Sequence, residues 1–123
     1  MANNNHSKNN IVSSFKTASS GVKEVLILEP AFKYMASVAF IVIVAMLYFP
    51  TTRLEKAVLL VMIFSVLGLE IINSVMERFL DFLQPHHDLR VKIIKDLLSA
   101  FVLLVSLGSA IIGILVFYPY IFK

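Results

Sequence analysis

Cysteine is absent from this 123-residue chain, which removes disulfides, thiol nucleophiles and cysteine-based zinc or iron–sulfur sites from consideration. Tryptophan is absent as well. Eleven basic against eight acidic residues give a net charge of +3 and a pI near 9.3. The basic residues nevertheless stand singly, with no aromatic-rich basic stripe beside them, so a nucleic-acid surface is not indicated. The opening MANNNHSKNN lacks the basic stretch and apolar core of a signal peptide, and the membrane spans described next are expected to be retained.

What the chain has in abundance is apolar sequence. Hydrophobic residues make up 59%, where about 45 to 50% is typical of a soluble domain, and the mean hydropathy is +0.85. Such a composition belongs to an integral membrane protein.

Residues 1–10 are polar and low in complexity, which predicts a flexible tail. From Ile11 a helical period begins: Ile11, Phe15, Ala18, Val22 and Val25 recur at steps of four and three, with Ser13, Lys16, Ser20, Lys23 and Glu24 on the other side. Residues 11–29 therefore form an amphipathic helix, lying in the membrane interface or packed on the bundle. Tyr34 to Pro50 runs 17 residues without a charge and, with the turn before it, reaches the roughly 20 residues needed to span.

Pro50, Thr51 and Thr52 leave room for a tight helical hairpin. A second span follows over 56–83. Gln84 to Lys95 is a polar connection whose last residues can already be helical, and a third span runs over 97–121. The whole chain is predicted to be one all-α membrane domain.

Lys8, Lys16, Lys23, Lys33, Arg90, Lys92 and Lys95 lie on one side of these spans, against Arg53, Lys56 and Lys123 on the other. The positive-inside tendency puts the N-terminus in the cytoplasm.

The second span carries a polar face. Glu70, Asn73, Glu77 and Asp81 follow at spacings of three, four and four, which stacks them on one side of a helix. A carboxylate near the membrane centre costs about 2.5 to 3.5 kcal/mol on insertion scales, so this face needs a partner such as a metal, a cation or water. Glu29, the loop around His86 to Asp88, and Lys95-Asp96 converge on the same boundary.

Carboxylates suit a hard cation that also binds phosphate oxygens, a lysine suits phosphate as a point charge, and a glutamate among apolar residues suits a general base. These chemistries point to phosphoryl transfer onto a lipid hydroxyl. A small cation or multidrug transporter also uses an intramembrane glutamate, and composition alone leaves it open.

The run Glu70-Ile-Ile-Asn73-Ser-Val-Met-Glu77, then Asp81, then Lys95-Asp96-Leu-Leu-Ser99 resembles the signature of the small prokaryotic diacylglycerol kinase and undecaprenol kinase family. The resemblance covers nearly the whole chain, from Phe15 and Gly21 through Glu29-Pro-Ala-Phe32 to Gly113 and Phe117.

It implies a homotrimer of three-span protomers, each with an N-terminal surface helix, in the bacterial inner membrane. Each trimer would use MgATP to phosphorylate a membrane lipid alcohol, with no Gly-rich phosphate loop, and none is present. By the same resemblance Glu70 is the base and contacts the lipid with Ser99. Asn73 orients the reacting groups, and Glu29 and Glu77 hold Mg²⁺. Lys95 meets the ATP phosphates with Asp96 positioning it. Asp81, His86, His87 and Asp88 join Glu29, Glu77, Lys95 and Asp96 on the nucleotide side.

Met35, Asn10 and Ile94 depart from residues common in the family and bear on head-group and nucleotide contacts. Diacylglycerol, giving phosphatidic acid, is the expected acceptor, with undecaprenol the alternative.

Overall fold

A computed structural model describes the backbone of residues 4–123 and the side chains from Asn10 onward. Four helices follow one another: α1 Asn4–Leu28, α2 Pro30–Tyr48, α3 Arg53–Leu83 and α4 Leu89–Ile121. The last three are long and apolar enough to cross a membrane by length and composition. α3 packs most extensively on α4 and then on α2, while α1 meets α2.

Each boundary has a local cause. Glu29 adopts extended backbone as the N-cap of α2, and Pro30 takes the first helical position, where its missing N–H is no loss. That proline separates α1 from α2. α3 opens on a capping box: the Thr52 hydroxyl accepts from the Glu55 backbone N–H at 3.1 Å, and the Glu55 carboxylate accepts from the Thr52 backbone N–H at 2.9 Å. Two backbone donors that the helix itself cannot satisfy are thereby paired. α4 opens on Asp88, whose carboxylate accepts from the Arg90 backbone N–H at 2.8 Å.

These caps lengthen the helices beyond the sequence expectation. The helix of the second span begins at Arg53 rather than residue 56, and that of the third span, α4, takes in the end of the polar connection from Leu89, ahead of the span expected from 97. The first span is shifted to Pro30–Tyr48 from the expected 34–50. Of the flexible tail expected over 1–10, residues 1–3 lie outside the described residues, and from Asn4 the backbone is helical. Once nucleated, a helix extends at one hydrogen bond per residue fixed.

Few side chains are buried within the single chain. Phe32, Ala39, Met46, Leu59, Leu80 and Val102 form the apolar core among the described residues. Large apolar side chains such as Phe40, Phe64 and Leu104 face outward, as expected where lipid replaces water as the solvent.

One end of the bundle, at the α2–α3 turn, is closed by aromatic contacts. Phe49 stacks on Tyr120 with centroids 5.9 Å apart and lies 6.0 Å from Phe117. The Tyr120 hydroxyl donates to Glu55 at 2.6 Å. The polar residues singled out above gather at the other end.

Candidate active site at the polar end of α3 and α4

The acidic face of α3 graded from buried to exposed is the core of the site. Glu70 is 6% exposed and Asn73 9%, Glu77 is half-buried and Asp81 is exposed. The gradient reflects packing within the chain, with Glu70, Asn73 and Ser74 buried and Asp81 near the C-terminal end of α3. At about 1.5 Å per residue, 20 residues cross about 30 Å of hydrocarbon. Counted from Leu54, that length ends at Asn73, so by length alone the Glu70 end of the polar face falls near the edge of such a layer.

The Glu70 carboxylate lies within electrostatic reach of Glu77 and Glu29, so three acidic groups from two regions of the chain share one neighbourhood. Asn73 donates from Nδ2 to Glu77 at 3.5 Å, at the long limit for a hydrogen bond. Its carbonyl Oδ1 is buried with no partner, as is the Ser74 hydroxyl. A buried amide oxygen left unpaired costs free energy unless something accepts or coordinates there. Such an atom, on a side chain whose Nδ2 already contacts Glu77, is suited to a substrate hydroxyl or a cation.

Lys95 comes from α4. Its ammonium contacts Asp81 Oδ1 at 2.5 Å, with the lysine side chain one-third exposed. Sequence reasoning gave Asp96 as the group that positions Lys95. The structure instead pairs Asp96 with Lys92 at 2.9 Å, one helical turn away on the same face. Adjacent residues of an α-helix point about 100° apart, and here Lys95 turns to Asp81 while Asp96 pairs along its own helix.

Ser99 is exposed, one turn beyond Lys95. His86 and His87 are exposed in the connection between α3 and α4. Asp88 has both oxygens engaged locally, by Arg90 and by Gln84 Nε2 at 3.2 Å. The Arg90 side chain, then its backbone N–H and Gln84, hold the Asp88 carboxyl down from its ordinary 3.8 to about 2.

Sequence reasoning missed Arg78. Its guanidinium donates to Glu29 Oε1 at 2.8 Å, joining the α1–α2 corner to α3 across 49 positions of sequence. A lone arginine beside an acidic face is a signal that some carboxylate is paired, although spacing cannot say which.

Among the described residues, no three histidine or acidic side chains converge closely enough to hold a metal by themselves. Glu29, Glu77 and the free Asn73 carbonyl fit a hard divalent cation that takes one or two carboxylates and completes its shell with phosphate oxygens and water.

Beside the site, α2, α3 and α4 enclose an apolar groove of about 610 Å³. It is lined by Val38 of α2, by Leu59, Met62 and Leu67 of α3, and by Ser106 and Gly113 of α4. The groove runs from Phe117 and Ile121 at the aromatic end to Leu67, and its lining stops one turn before Glu70.

The arrangement therefore combines a shielded glutamate, further carboxylates within its electrostatic reach, a cross-helix lysine and an apolar groove that stops one turn short of the glutamate. Comparison with known proteins agrees with that chemistry. The profile of the prokaryotic diacylglycerol kinase family matches residues 16–117. The chain is also similar to the undecaprenol kinase of Bacillus subtilis (strain 168), 27% identical over 111 residues that cover 90% of each chain. A multi-pass bacterial membrane protein with lipid and ATP as substrates, and with the divalent metal that typically accompanies ATP, is what that family implies. The chain belongs to the prokaryotic diacylglycerol kinase family and is a lipid kinase.

Proposed function

We propose that the chain transfers the γ-phosphoryl group of ATP to the hydroxyl of diacylglycerol, giving phosphatidic acid and ADP. The observation that carries this reading is the buried Glu70 beside the unpaired Asn73 carbonyl, one turn beyond the last α3 residue that lines the apolar groove. A neutral lipid with a free hydroxyl can bring its head group to that level while its tails stay in the groove.

Glu70 takes the proton as the lipid oxygen attacks the γ-phosphorus. The new P–O bond forms as the bond to the β-phosphate oxygen breaks, ADP leaves with the electron pair, and Glu70 later returns its proton to water. Asn73 orients the hydroxyl through its carbonyl. Lys95 lies against the phosphates and offsets charge that builds up in the transition state, held in place through Asp81. Magnesium, which Glu29 and Glu77 would hold, supplies neutralisation of phosphate charge.

His86, His87 and the 84–88 connection lie on the nucleotide side, and Ser99 on the lipid side. The N-terminus is cytoplasmic by the lysine distribution. The assembly is a homotrimer, a reading supported by how little apolar surface one chain buries alone.

Undecaprenol is the second acceptor reading, favoured by the Bacillus subtilis relative. Phosphorylation in mixed micelles, with diacylglycerol and undecaprenol offered together, separates the two by product. Glu70→Gln is expected to lower turnover by the 10² to 10⁴ typical of a lost general base. Turnover of both lipids within tenfold of the parent would remove Glu70 from this role.

A further inference from the structure

Arg78 has no part in the scheme above, yet it holds one of its residues. Glu29 is the N-cap of α2 but makes no side-chain capping bond, so its carboxylate is free to reach outward. Its partner is Arg78 at 2.8 Å, with 59% of the arginine side chain and 23% of the glutamate exposed. Arg78 directly follows Glu77 in α3, so the one guanidinium near Glu29 comes from the residue next to the other acidic group of the pair. Arg78 contacts only Oε1, and a divalent cation on either oxygen of that carboxylate would stand within a few ångströms of the guanidinium, whose like charge opposes it.

We propose that Arg78 is a resident counter-ion for Glu29 that changes partner when metal-bound nucleotide arrives, its freed fork of donors passing to a nucleotide phosphate. The proposal rests on Glu29 being a metal ligand. Arginine is suited to the exchange because it stays charged, and its planar donors match carboxylate and phosphate alike. With more than half of the side chain exposed, the move from one acceptor to another needs no repacking of the bundle. In this arrangement metal alone competes with Arg78 for Glu29, whereas metal with nucleotide offers the guanidinium a new acceptor. Arg78 thereby couples the two ligands and disfavours metal without nucleotide.

The test measures binding directly, with no turnover. Free Mn²⁺, an oxygen-seeking stand-in for Mg²⁺, is titrated onto purified full-length protein in detergent micelles and read by its electron paramagnetic resonance signal. A non-hydrolysable ATP analogue is titrated separately in the presence of Mn²⁺.

Arg78→Gln is expected to bind Mn²⁺ alone more tightly, by the roughly 1.5- to 5-fold that a half-exposed ion pair can hold back. It should bind the nucleotide analogue about tenfold more weakly, for loss of a charge-assisted hydrogen bond. Arg78→Lys keeps the charge without the fork and should restore wild-type Mn²⁺ binding but only part of the nucleotide affinity.

Unchanged or weaker Mn²⁺ binding in Arg78→Gln overturns the proposal, and so does full recovery of nucleotide affinity by Arg78→Lys, which reduces the effect to a diffuse field. Glu29→Gln serves as the reference. If it leaves Mn²⁺ binding intact, the metal role of Glu29 fails and the exchange fails with it. If it weakens Mn²⁺ binding while Arg78→Gln has no effect, only the exchange is lost.

Discussion

Replacing Lys95 by methionine separates a structural tie from a site residue, because the two roles predict effects of different size. The Lys95–Asp81 contact is short at 2.5 Å, but the side chains are 33% and 65% exposed. Pairs this open to solvent contribute about 0.2 to 1 kcal/mol to stability. An ammonium placed against a transferring phosphoryl group is worth more, since removing one electrostatic group from a reacting centre typically costs about 10² to 10³ in kcat, or about 2.7 to 4 kcal/mol.

Lys95→Met should therefore unfold within about 1 kcal/mol of the parent in detergent, while turnover of either lipid falls at least a hundredfold. Asp81→Asn should keep the stability loss equally small and lose less turnover, because Asp81 acts only through Lys95. In the double-mutant cycle, Asp81→Asn on the Lys95→Met background should have almost no further effect on turnover. A loss of several kcal/mol in stability with turnover falling in proportion would refute the assignment, and so would turnover within tenfold of the parent in Lys95→Met.

Three further outcomes follow from the fold. Leu59, 3% exposed between α3 and its neighbours, should cost about 2 kcal/mol when cut to alanine. That is the low end of the usual range, because lipid is as apolar as leucine and only packing is lost; detergent unfolding measures it. Asp88 has its carboxyl lowered from 3.8 to about 2, so its charge contributes stability that is fully present above pH 3.8 and lost as pH falls through about 2. Asp88→Asn, which keeps a neutral cap, should be less stable than the parent at pH 6, with the gap closing between pH 4 and 2 in thermal melts. Tyr120→Phe removes the 2.6 Å bond to Glu55 and should lower the melting temperature while leaving kcat unchanged, since it lies at the end of the bundle away from Glu70.

Much of this was legible in the residues. Charge-free runs of the right length mark the spans, and the spacing from Glu70 to Asp81 fixes a single polar face, because helical period is a local property. Helix ends were less legible: Thr52 with Glu55, and Asp88 with Arg90, extend α3 and α4 through side-chain caps that override a boundary drawn from hydropathy. Partnerships between helices were hidden. Lys95 turns to Asp81 rather than to its neighbour Asp96, and Arg78 reaches Glu29 over 49 positions, both decided by how α3 is rotated against its neighbours.

The two ends of the bundle are fastened by different chemistry, and salt discriminates between them. At the Glu70 end, the ties from α3 to the α1–α2 corner and to α4 are exposed ion pairs, Arg78 to Glu29 and Lys95 to Asp81. Such pairs weaken as the Debye length shrinks from about 10 Å at 0.1 M to about 3 Å at 1 M. At the far end, stacked Phe49 and Tyr120 and the Tyr120 hydroxyl bond rely on contact and hydrogen bonding, which ionic strength hardly touches. In brine the mouth where the nucleotide enters would therefore lose up to about 1 kcal/mol per tie, while the aromatic end keeps its hold.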